Sequence, residues 1–397
     1  MGQPDAPAPS SPHLTRTGNR VRAVQLKILC VVGARPNFIK IAPLVEALRK
    51  HEALQPYLLH TGQHYDERLS DVFFEELGIP HPDCSLGVGS GSHAEQTAQI
   101  MRRFEPVLQR EQPRCVLVVG DVNSMVACAL VASKFHLNHP LPDGRTRPIL
   151  VHVEAGLRSF DDDMPEEINR RVTDMLSDLC FVTDPAGLTN LEREGVDKTR
   201  VHFVGNVMID TLLAAREKAS RSTVLSRLSV KPKEYGLVTL HRPRNVDSAA
   251  RLRELLGVLN EISADMPLVF PAHLRTRPRI VNCGVDLDNT RWRVIEPAGY
   301  LDFMHLLANA KLVLTDSGGV QEETTVLGVP CLTLRDNTER PVTVEQGTNT
   351  LAGTNAASIR AAYAAHVAAP KEGRVPDLWD GRAAERIVAV LAERLGA

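Results

Sequence analysis

Residues 149–171, ILVHVEAGLRSFDDDMPEEINRR, join an uninterrupted apolar run to a dense group of charged side chains. The apolar run, 149–153, has the continuous hydrophobic pattern of a strand that is buried on both faces of a parallel sheet. The residues after Pro165 follow a helical period. The stretch therefore predicts a strand, a short loop and a helix, with Glu154 at the carboxyl end of the strand.

The same alternation of apolar runs and helical segments extends along the chain from residue 26. It is typical of parallel sheets that are covered by helices on both faces. The predicted strands are too many for one comfortable sheet, so we predict an α/β fold of two Rossmann-like, doubly wound domains with a cleft between them. The predicted strands are 27–32, 57–60, 115–119, 149–153, 179–183, 201–204, 236–240, 268–270, 292–295, 311–315 and 331–334.

The domain limits follow from this pattern. Residues 1–25, rich in Pro, Ala, Ser and Arg, predict a disordered N-terminal extension. Residues 26–204 predict the first domain and 205–370 the second, with the boundary near the Gly-Asn pair at 205–206. A helical run within 381–397 predicts a C-terminal helix that packs back on the first domain.

Composition excludes several functional classes. The 397 residues carry a net charge of −2, so no overall field attracts nucleic acid or an anionic membrane. No stretch approaches the ~20 apolar residues of a membrane span, and residues 1–25 lack the apolar core of a secretory signal. Seven cysteines without a CxxC pair suit reduced thiols. We therefore expect a soluble, cytoplasmic protein without nucleic-acid or membrane partners.

Unusual residue clusters follow the predicted strands. In doubly wound folds, ligands bind at the carboxyl ends of the strands, and two domains can direct these ends into one cleft. The placement of the clusters therefore predicts a site in the cleft. The clusters are GARPNFIK (33–40), TGQH (61–64), GD (120–121), HVEAGLR (152–158), TLHRPRN (239–245) and TDSGGVQEE (315–323).

One side of this predicted site suits an anion. Residues 317–319, Ser-Gly-Gly, lie at a strand-to-helix turn where backbone N–H groups can approach a phosphate, although such a turn also occurs for tight geometry alone. Glu323, or the adjacent Glu322, suits ribose hydroxyl groups or stabilises the helix dipole. A diphosphate would also require cations, and three stand in the strand-end loops: Arg35, Lys40 and Arg340.

The other side carries acids. Glu154 and Asp121 follow neighbouring predicted strands, where mutual repulsion would separate their pKa values and suit them to acid–base chemistry. Asp121 also fits a helix cap, and Arg158 is a candidate partner for Glu154. Glu166, judged alone, fits a helix cap better than a catalyst. His241 would enter the cleft from the second domain.

Other chemistries lack their motifs. No Walker loop or GxGxxG fingerprint follows a predicted strand, which disfavours ATP hydrolysis and NAD binding. No HExxH or clustered Cys and His spacing indicates a metal, and no GxSxG elbow indicates a serine hydrolase.

Taken together and in this order, the motifs resemble the non-hydrolysing UDP-N-acetylglucosamine 2-epimerase family from about residue 27 to 353. The resemblance implies a glycosyltransferase-B-like fold, a homodimer, UDP bound by the second domain, and no metal or redox cofactor. It also implies reversible interconversion of UDP-GlcNAc and UDP-ManNAc through elimination of UDP to 2-acetamidoglucal and re-addition. The motifs include GARPNFIKIAPL, HTGQHYDE, VVGDVNS, HVEAGLRSFDDDMPEEINRR, FVGNVMID, TLHRPRNVD, TDSGGVQEE and DNTERPVTVEQGTN.

The resemblance also assigns residues by motif position. Inversion at C2 moves a hydrogen from one face of the sugar to the other, so at least two positioned acids are needed. Several family members have a second, activating site beside the Gln63-His64 loop, but Asp66 stands where those members carry Gln. The implied catalytic residues are Asp121, Glu154, Glu166 and His241. The implied substrate-binding residues are Arg35, Lys40, Gln63, His64, Arg158, Ser317, Gly318, Gly319, Glu323 and Arg340.

Two alternatives stay open at this point. The diphosphate and acid motifs say little about C3 and C6 of the sugar, so a 2-epimerase of a UDP-2,3-diacetamido uronic acid fits them as well. A glycosyltransferase of the same fold would share the cleft and the UDP site, but it would need an acceptor. Two departures from the family motifs, Asn37 and Arg244 where Glu is common, leave the predicted catalytic positions unchanged.

Overall fold

The computed structural model describes residues 25–63, 76–272, 276–282, 284–285, 287 and 291–397. Within these ranges the chain forms two parallel sheets with helices packed against them, and the predicted α/β, doubly wound fold is confirmed. The first sheet contains β1 Leu26–Val32, β2 Leu54–His60, β3 Cys84–Ser85, β4 Cys115–Val119, β5 Ile149–Ala155, β6 Leu179–Val182 and β7 Val201–Phe203. The second contains β8 Gly236–Thr239, β9 Leu268–Pro271, β10 Trp292–Ile295, β11 Leu312–Thr315, β12 Cys331–Thr333 and β13 Asn349–Leu351.

The strand orders are β3-β2-β1-β4-β5-β6-β7 and β10-β9-β8-β11-β12-β13. Helices connect the strands and cover the sheets. They are α1 Arg35–Lys50, α2 His93–Glu111, α3 Asn123–Ala132, α4 Pro165–Leu176, α5 Pro185–Arg193, α6 Val207–Ser220, α7 Val224–Arg227 and α8 Pro243–Val246. The chain continues with α9 Ala249–Ile262, α10 Thr276–Asn282, α11 Tyr300–Asn309, α12 Gly318–Leu327, α13 Pro341–Glu345, α14 Ala356–Ala368 and α15 Ala383–Leu395.

The strands agree with the apolar runs of the sequence, with small differences at their ends. β2 begins three residues before its predicted start and contains Pro56, which is tolerated because β3 pairs only with Leu59 and His60 at the far end of β2. Strands β3 and β13 were not predicted from the sequence. Both are short, and polar residues such as Asn349 break the apolar pattern of β13.

Alternating side chains of the central strands form a core on each face of the first sheet. One core packs against α1 and α15 and the other against α2 and α3. Full burial of each aliphatic side chain contributes roughly 1.5–3 kcal/mol, so these central strands form a rigid base. None of the described helices is both long enough and apolar enough to cross a membrane.

The C-terminal segment contacts the first half of the chain. Ile387, Val388 and Leu391 of α15 lie in the core beneath α1. Just before this helix, Trp379 Nε1 donates a hydrogen bond to Thr183 O at 2.9 Å. The domain limits themselves stay a prediction, and the extension predicted for residues 1–25 lies outside the described residues apart from Gln25.

Candidate active site

Glu154 stands in an unusual backbone conformation at the end of β5. Its φ angle is +73°, and the pairing with β6 shifts register between Val153 and Ala155. A left-handed conformation costs a non-glycine residue roughly 1–2 kcal/mol. A bulge of this kind re-aims a side chain next to a site. The strained backbone at Glu154 therefore sets the direction in which its carboxylate points.

The Glu154 carboxylate is almost completely buried and only half satisfied. Oε2 accepts a hydrogen bond from Lys40 Nζ, which comes from α1. Oε1 is also buried, and no hydrogen-bond partner for it lies among the described residues. An unsatisfied buried acceptor costs about 1–3 kcal/mol. This oxygen is therefore available to a ligand.

Asp121 follows the adjacent strand, β4, as the sequence predicted. Its Oδ2 lies 2.5 Å from Arg170 Nη1, and 27% of the side chain is exposed. Burial disfavours its charged form, yet Arg170 and Lys40 hold the pKa of Asp121 below its usual range. Asp121 is therefore ionised near neutral pH.

Asn37, which stands where Glu is common in the family motif, makes hydrogen bonds that account for its presence in the first loop. Its Oδ1 accepts hydrogen bonds from Ala34 N at 2.9 Å and Gly33 N at 3.3 Å, while Nδ2 donates to Val119 O at 2.9 Å. Asn37 thus ties the loop before α1 to the end of β4. The neutral amide orders this loop, and Lys40 is left to pair with Glu154.

The structure distinguishes the two neighbouring acids at the start of α4. Glu167 is fully buried and accepts hydrogen bonds from Ser159 N at 2.9 Å and Phe160 N at 3.2 Å. It also pairs with Arg170, which in turn reaches Asp121. Glu166 is half-exposed, and no side-chain partner for it appears within the described part of the chain. Glu167 therefore orders the loop, while Glu166 is free to meet a ligand.

Sequence reasoning missed Glu167 and Arg170 as site residues. Their i, i+3 spacing on a helix was a signal for a pair, since residues three apart face each other. The second contact of Arg170, to a residue 49 positions away, left no signal in the local pattern.

The second sheet supplies a helix N-terminus to the site. Ser317 precedes α12, which begins at Gly318. A Cβ at Gly318 would lie 2.6 Å from Arg340 Nη1, and one at Gly319 would lie 2.8 Å from Met208 Cε. The two glycines therefore allow close packing at the turn that was predicted to hold an anion.

Arg340 belongs to a buried cluster of opposite charges. Its Nη1 donates to Glu339 Oε1 at 2.6 Å, and Arg335 Nη2 donates to Glu339 Oε2 at 2.8 Å. Although burial disfavours its charge, Arg340 and Arg335 hold the pKa of Glu339 well below its usual range. Glu339 thereby fixes the orientation of both guanidinium groups.

Two further carboxyl groups lie on α12. Arg340 Nε is 2.9 Å from Glu322 Oε1, while Glu322 Oε2 is buried without a hydrogen-bond partner among the described residues. Burial raises the pKa of Glu322, and nearby Glu154 raises it further. Burial also raises the pKa of Glu323 to about 8.

His241 lies on the second half of the chain, after β8. It is mostly exposed, and its Nδ1 is 2.8 Å from Asp316 Oδ1. Asp316 is fully buried and also accepts hydrogen bonds from Arg242 N and Asn245 Nδ2, both at 3.1 Å. Burial opposes ionisation, but these contacts hold the pKa of Asp316 below its usual range. His241 is therefore an exposed imidazole whose orientation is fixed by the buried Asp316 carboxylate.

Contacts between the two halves bring these groups together. The pKa of Arg340 is raised despite its burial, because carboxylates from both halves of the chain lie nearby. They are Glu322, Glu339, Glu154 and Asp121. Arg242 Nη1 lies 3.5 Å from Met164 Sδ, across the same opening. The predicted acid side and anion side therefore lie close to each other.

Two predicted substrate contacts have other partners. Arg158 is buried and pairs with Asp174 at 2.7 Å and with Glu194 at 2.6 Å. Gln63 Oε1 accepts hydrogen bonds from Ser124 N at 3.0 Å and Ser124 Oγ at 2.7 Å. These geometries favour supporting roles, and direct substrate contact by either residue stays a prediction. The side chain of Arg35 and all of His64 lie outside what the structure describes.

Comparison with known protein families gives a match over most of the chain. A family model described as UDP-N-acetylglucosamine 2-epimerase matches residues 46–392. A UDP-N-acetylglucosamine 2-epimerase from Methanocaldococcus jannaschii is 41% identical over 374 residues, which are 92% of this chain and 99% of that protein. A UDP-2,3-diacetamido-2,3-dideoxy-D-glucuronate 2-epimerase from Pseudomonas aeruginosa is 42% identical over 331 residues, 83% of this chain and 88% of that protein.

Solved structures show the same similarity. The crystal structure of the M. jannaschii UDP-GlcNAc 2-epimerase in complex with UDP-GlcNAc and UDP aligns with a TM-score of 0.83 at 40% identity. The alignment covers 93% of this chain and 100% of that one. The UDP-GlcNAc 2-epimerase from Neisseria meningitidis, bound to UDP-GlcNAc, aligns with a TM-score of 0.82 at 30% identity, with the same coverage.

Proposed function

Because this chain belongs to the UDP-N-acetylglucosamine 2-epimerase family, we propose that it interconverts UDP-GlcNAc and UDP-ManNAc by elimination and re-addition of UDP. In the first step the C2–H proton passes to a protein base and the C1–O bond breaks, leaving UDP and 2-acetamidoglucal. In the second, UDP adds back to C1 and a proton is delivered to the opposite face of C2. The reaction is redox-neutral overall.

The observation that carries this proposal is the environment of Glu154. One oxygen pairs with Lys40, and the other is buried without a partner among the described residues. A carboxylate held in this way can take a proton from carbon, because water does not solvate it and Lys40 fixes its orientation. The strained backbone at Glu154 supports the same interpretation, since strain of this kind clusters at active sites.

A second acid is required for the opposite face of C2. Asp121 lies two residues after the adjacent strand, and Glu166 lies in the first turn of the helix that follows the loop after Glu154. Both therefore lie on elements that border the position of Glu154. We assign the second proton transfer to this pair, with Arg170 fixing Asp121.

The other side of the site suits the leaving diphosphate. Arg340 supplies a buried guanidinium, and the N-terminus of α12 at Gly318 presents backbone N–H groups. As UDP departs, negative charge grows on the diphosphate, and fixed cations stabilise that charge best when water is excluded. His241 would contact the diphosphate from the exposed side, and Glu323 would bind the ribose hydroxyls.

The oligomeric state and cellular location of the protein are also part of the proposal. We propose a homodimer, as the resemblance implies, that acts in the cytoplasm in polysaccharide biosynthesis. Sedimentation equilibrium of the purified protein would test the dimer, and a monomer across the whole concentration range would contradict it.

The decisive experiment is proton NMR of the purified protein with UDP-GlcNAc in D₂O. The proposal expects UDP-ManNAc to appear with deuterium at C2, because the acid that protonates the opposite face of C2 carries a deuteron from the solvent. Free ManNAc with UDP would indicate hydrolysis instead. UDP-ManNAc that retains its hydrogen at C2 would contradict exchange with solvent during the proposed elimination.

A second candidate substrate is a UDP-2,3-diacetamido uronic acid. The observation that favours it is the P. aeruginosa relative. Its identity to this chain, 42%, is close to the 41% of the M. jannaschii UDP-GlcNAc 2-epimerase. The same NMR assay with both sugars would decide between them through the ratio of kcat/KM values. A ratio that favours the uronic acid would move the proposal to that substrate.

A further inference from the structure

His152 lies inside β5, two residues before Glu154, and is completely buried. Its Nε2 is 3.0 Å from the carbonyl oxygen of Gly120, and its Nδ1 is 2.5 Å from Asp174 Oδ1. A carbonyl oxygen and an ionised carboxylate only accept hydrogen bonds, so each ring nitrogen of His152 faces an acceptor. His152 thus makes two directed bonds in the interior.

Each bond leads to one of the two acid-bearing loops. Gly120, whose carbonyl is held on one side, directly precedes Asp121 and has a φ angle of +78°. On the other side, Asp174 Oδ2 accepts a hydrogen bond from Gly156 N at 3.1 Å, two residues after Glu154. His152 therefore links the two strand ends through side chains, in addition to the backbone hydrogen bond that Gly120 N donates to Val153 O at 3.2 Å.

The far end of the link is also fixed. Arg158 Nη2 donates to Asp174 Oδ2 at 2.7 Å and to Glu194 Oε2 at 2.6 Å. Burial opposes ionisation of Asp174, but His152 and Arg158 hold its pKa below the usual range. Asp174 is thus a charged anchor that cannot turn without breaking several bonds.

We propose that His152 is a positioning residue that fixes Asp121 and Glu154 relative to each other. This inference rests on the epimerase function proposed above. Elimination and re-addition require the two acids to address opposite faces of one carbon, so a small change in their separation would slow proton transfer. A histidine that only fills the core would affect stability and leave the partition of proton transfer between the faces unchanged.

Two substitutions separate the two bonds. In His152→Gln the amide nitrogen can occupy the position of Nε2, so the bond to Gly120 is retained and the bond to Asp174 is lost. In His152→Asn the amide nitrogen can occupy the position of Nδ1, which retains Asp174 and loses Gly120. His202→Gln is the matched control, because His202 lies on β7, an outer strand of the same sheet.

We expect both His152 variants to lower kcat by about 100-fold, the order of effect of a 1 Å misplacement of reacting groups. The KM for UDP-GlcNAc and the Kd for UDP should stay near the wild-type values, since Arg340 and the N-terminus of α12, which we propose bind the diphosphate, lie in the second half of the chain. In D₂O, the ratio of deuterium in recovered substrate to deuterium in product should change in opposite directions in the two variants. His202→Gln should leave turnover and this ratio unchanged.

Folded His152 variants with wild-type turnover and an unchanged deuterium ratio would overturn the inference. If both variants fail to fold, NMR of the wild-type protein with labelled histidine still decides, because a His152 ring nitrogen that makes no hydrogen bond would contradict the two bonds and overturn the inference. Failure of the proposed function appears separately, as wild-type protein that epimerises neither UDP-sugar, and that result would overturn both proposals.

Discussion

Arg340 Nε lies 2.9 Å from Glu322 Oε1, and both side chains are almost completely buried. Three more carboxylates, Glu339, Glu154 and Asp121, also contribute to the field at this guanidinium. A diphosphate that binds Arg340 must compete with these internal acids. The affinity for UDP therefore depends on how accurately the neighbouring groups hold Arg340 in place.

Gly318→Ala should weaken UDP binding. The new Cβ would lie 2.6 Å from Arg340 Nη1 and 2.8 Å from Glu339 Oε1, so the guanidinium has to shift. Loss of charge-assisted hydrogen bonds costs about 1.5–3 kcal/mol. We expect the Kd for UDP, measured by calorimetry, to rise by about tenfold or more.

Gly257→Ala is the matched control for this substitution. Gly257 lies within α9, and a Cβ there would meet no atom of the described residues within 4 Å. The variant should gain about 0.5–1 kcal/mol of stability and keep wild-type UDP affinity. Equal UDP affinity in the two alanine variants would show that Gly318 is not needed for close approach.

Glu154→Gln should lose most turnover while keeping its affinity for UDP. General acid–base groups contribute typically about 10²–10⁴-fold, and the amide cannot accept the C2 proton. Steady-state kinetics and UDP calorimetry would measure the two effects. Glu192→Gln, an exposed change on α5, should behave as wild type. Near-normal turnover of Glu154→Gln would remove the role assigned to this residue.

Stability should fall with rising pH because of Glu323. Burial raises the pKa of this group from 4.5 to about 8, so the native state keeps a proton that the unfolded state has released. Where the native state binds more protons, unfolding becomes easier as pH increases. The stabilisation is thus complete below about pH 4.5 and is lost as the pH rises through about 8.

Glu323→Gln tests this sign, because the amide cannot ionise. The difference in melting temperature, variant minus wild type, should increase between about pH 5 and pH 9. Each unit of difference between the folded and unfolded pKa changes the free energy of unfolding by about 1.4 kcal/mol at most. Glu372→Gln, at an exposed position, should show no such trend. A difference that decreases with pH would contradict a raised pKa at Glu323.

Asp210→Ala should loosen the C-terminal helix. Asp210, on α6, accepts hydrogen bonds from Ala383 N at 3.1 Å and Ala384 N at 2.7 Å, at the start of α15. Loss of such a cap costs about 0.5–2 kcal/mol. Hydrogen exchange of the amides in α15 should become faster, and the denaturant midpoint should fall.

Asn355→Ala provides the comparison, because Asn355 caps α14 through Ser358 N at 2.9 Å. It should accelerate exchange in α14 and leave α15 protected. If Asp210→Ala leaves exchange in α15 at the wild-type rate, Asp210 does not anchor this helix.

The amino-acid sequence by itself determined the parallel sheets, their helices and the family. Apolar runs and helical periods depend on neighbouring residues, so each element can be predicted without its partners. The same reasoning placed Glu154 and Asp121 at adjacent strand ends, because parallel strands end at one edge of a sheet. The roles of the site residues stay predictions, as do the domain limits.

Only the tertiary structure decided which charged groups are satisfied and which are open to a ligand. Glu166 and Glu167 are neighbours in sequence, yet the fold buries one against Ser159 and Arg170 and leaves the other half-exposed. Arg158 pairs with acids 16 and 36 residues away in the sequence, while its contact with substrate stays a prediction. Such contacts depend on the separation of elements in space, which no local pattern records.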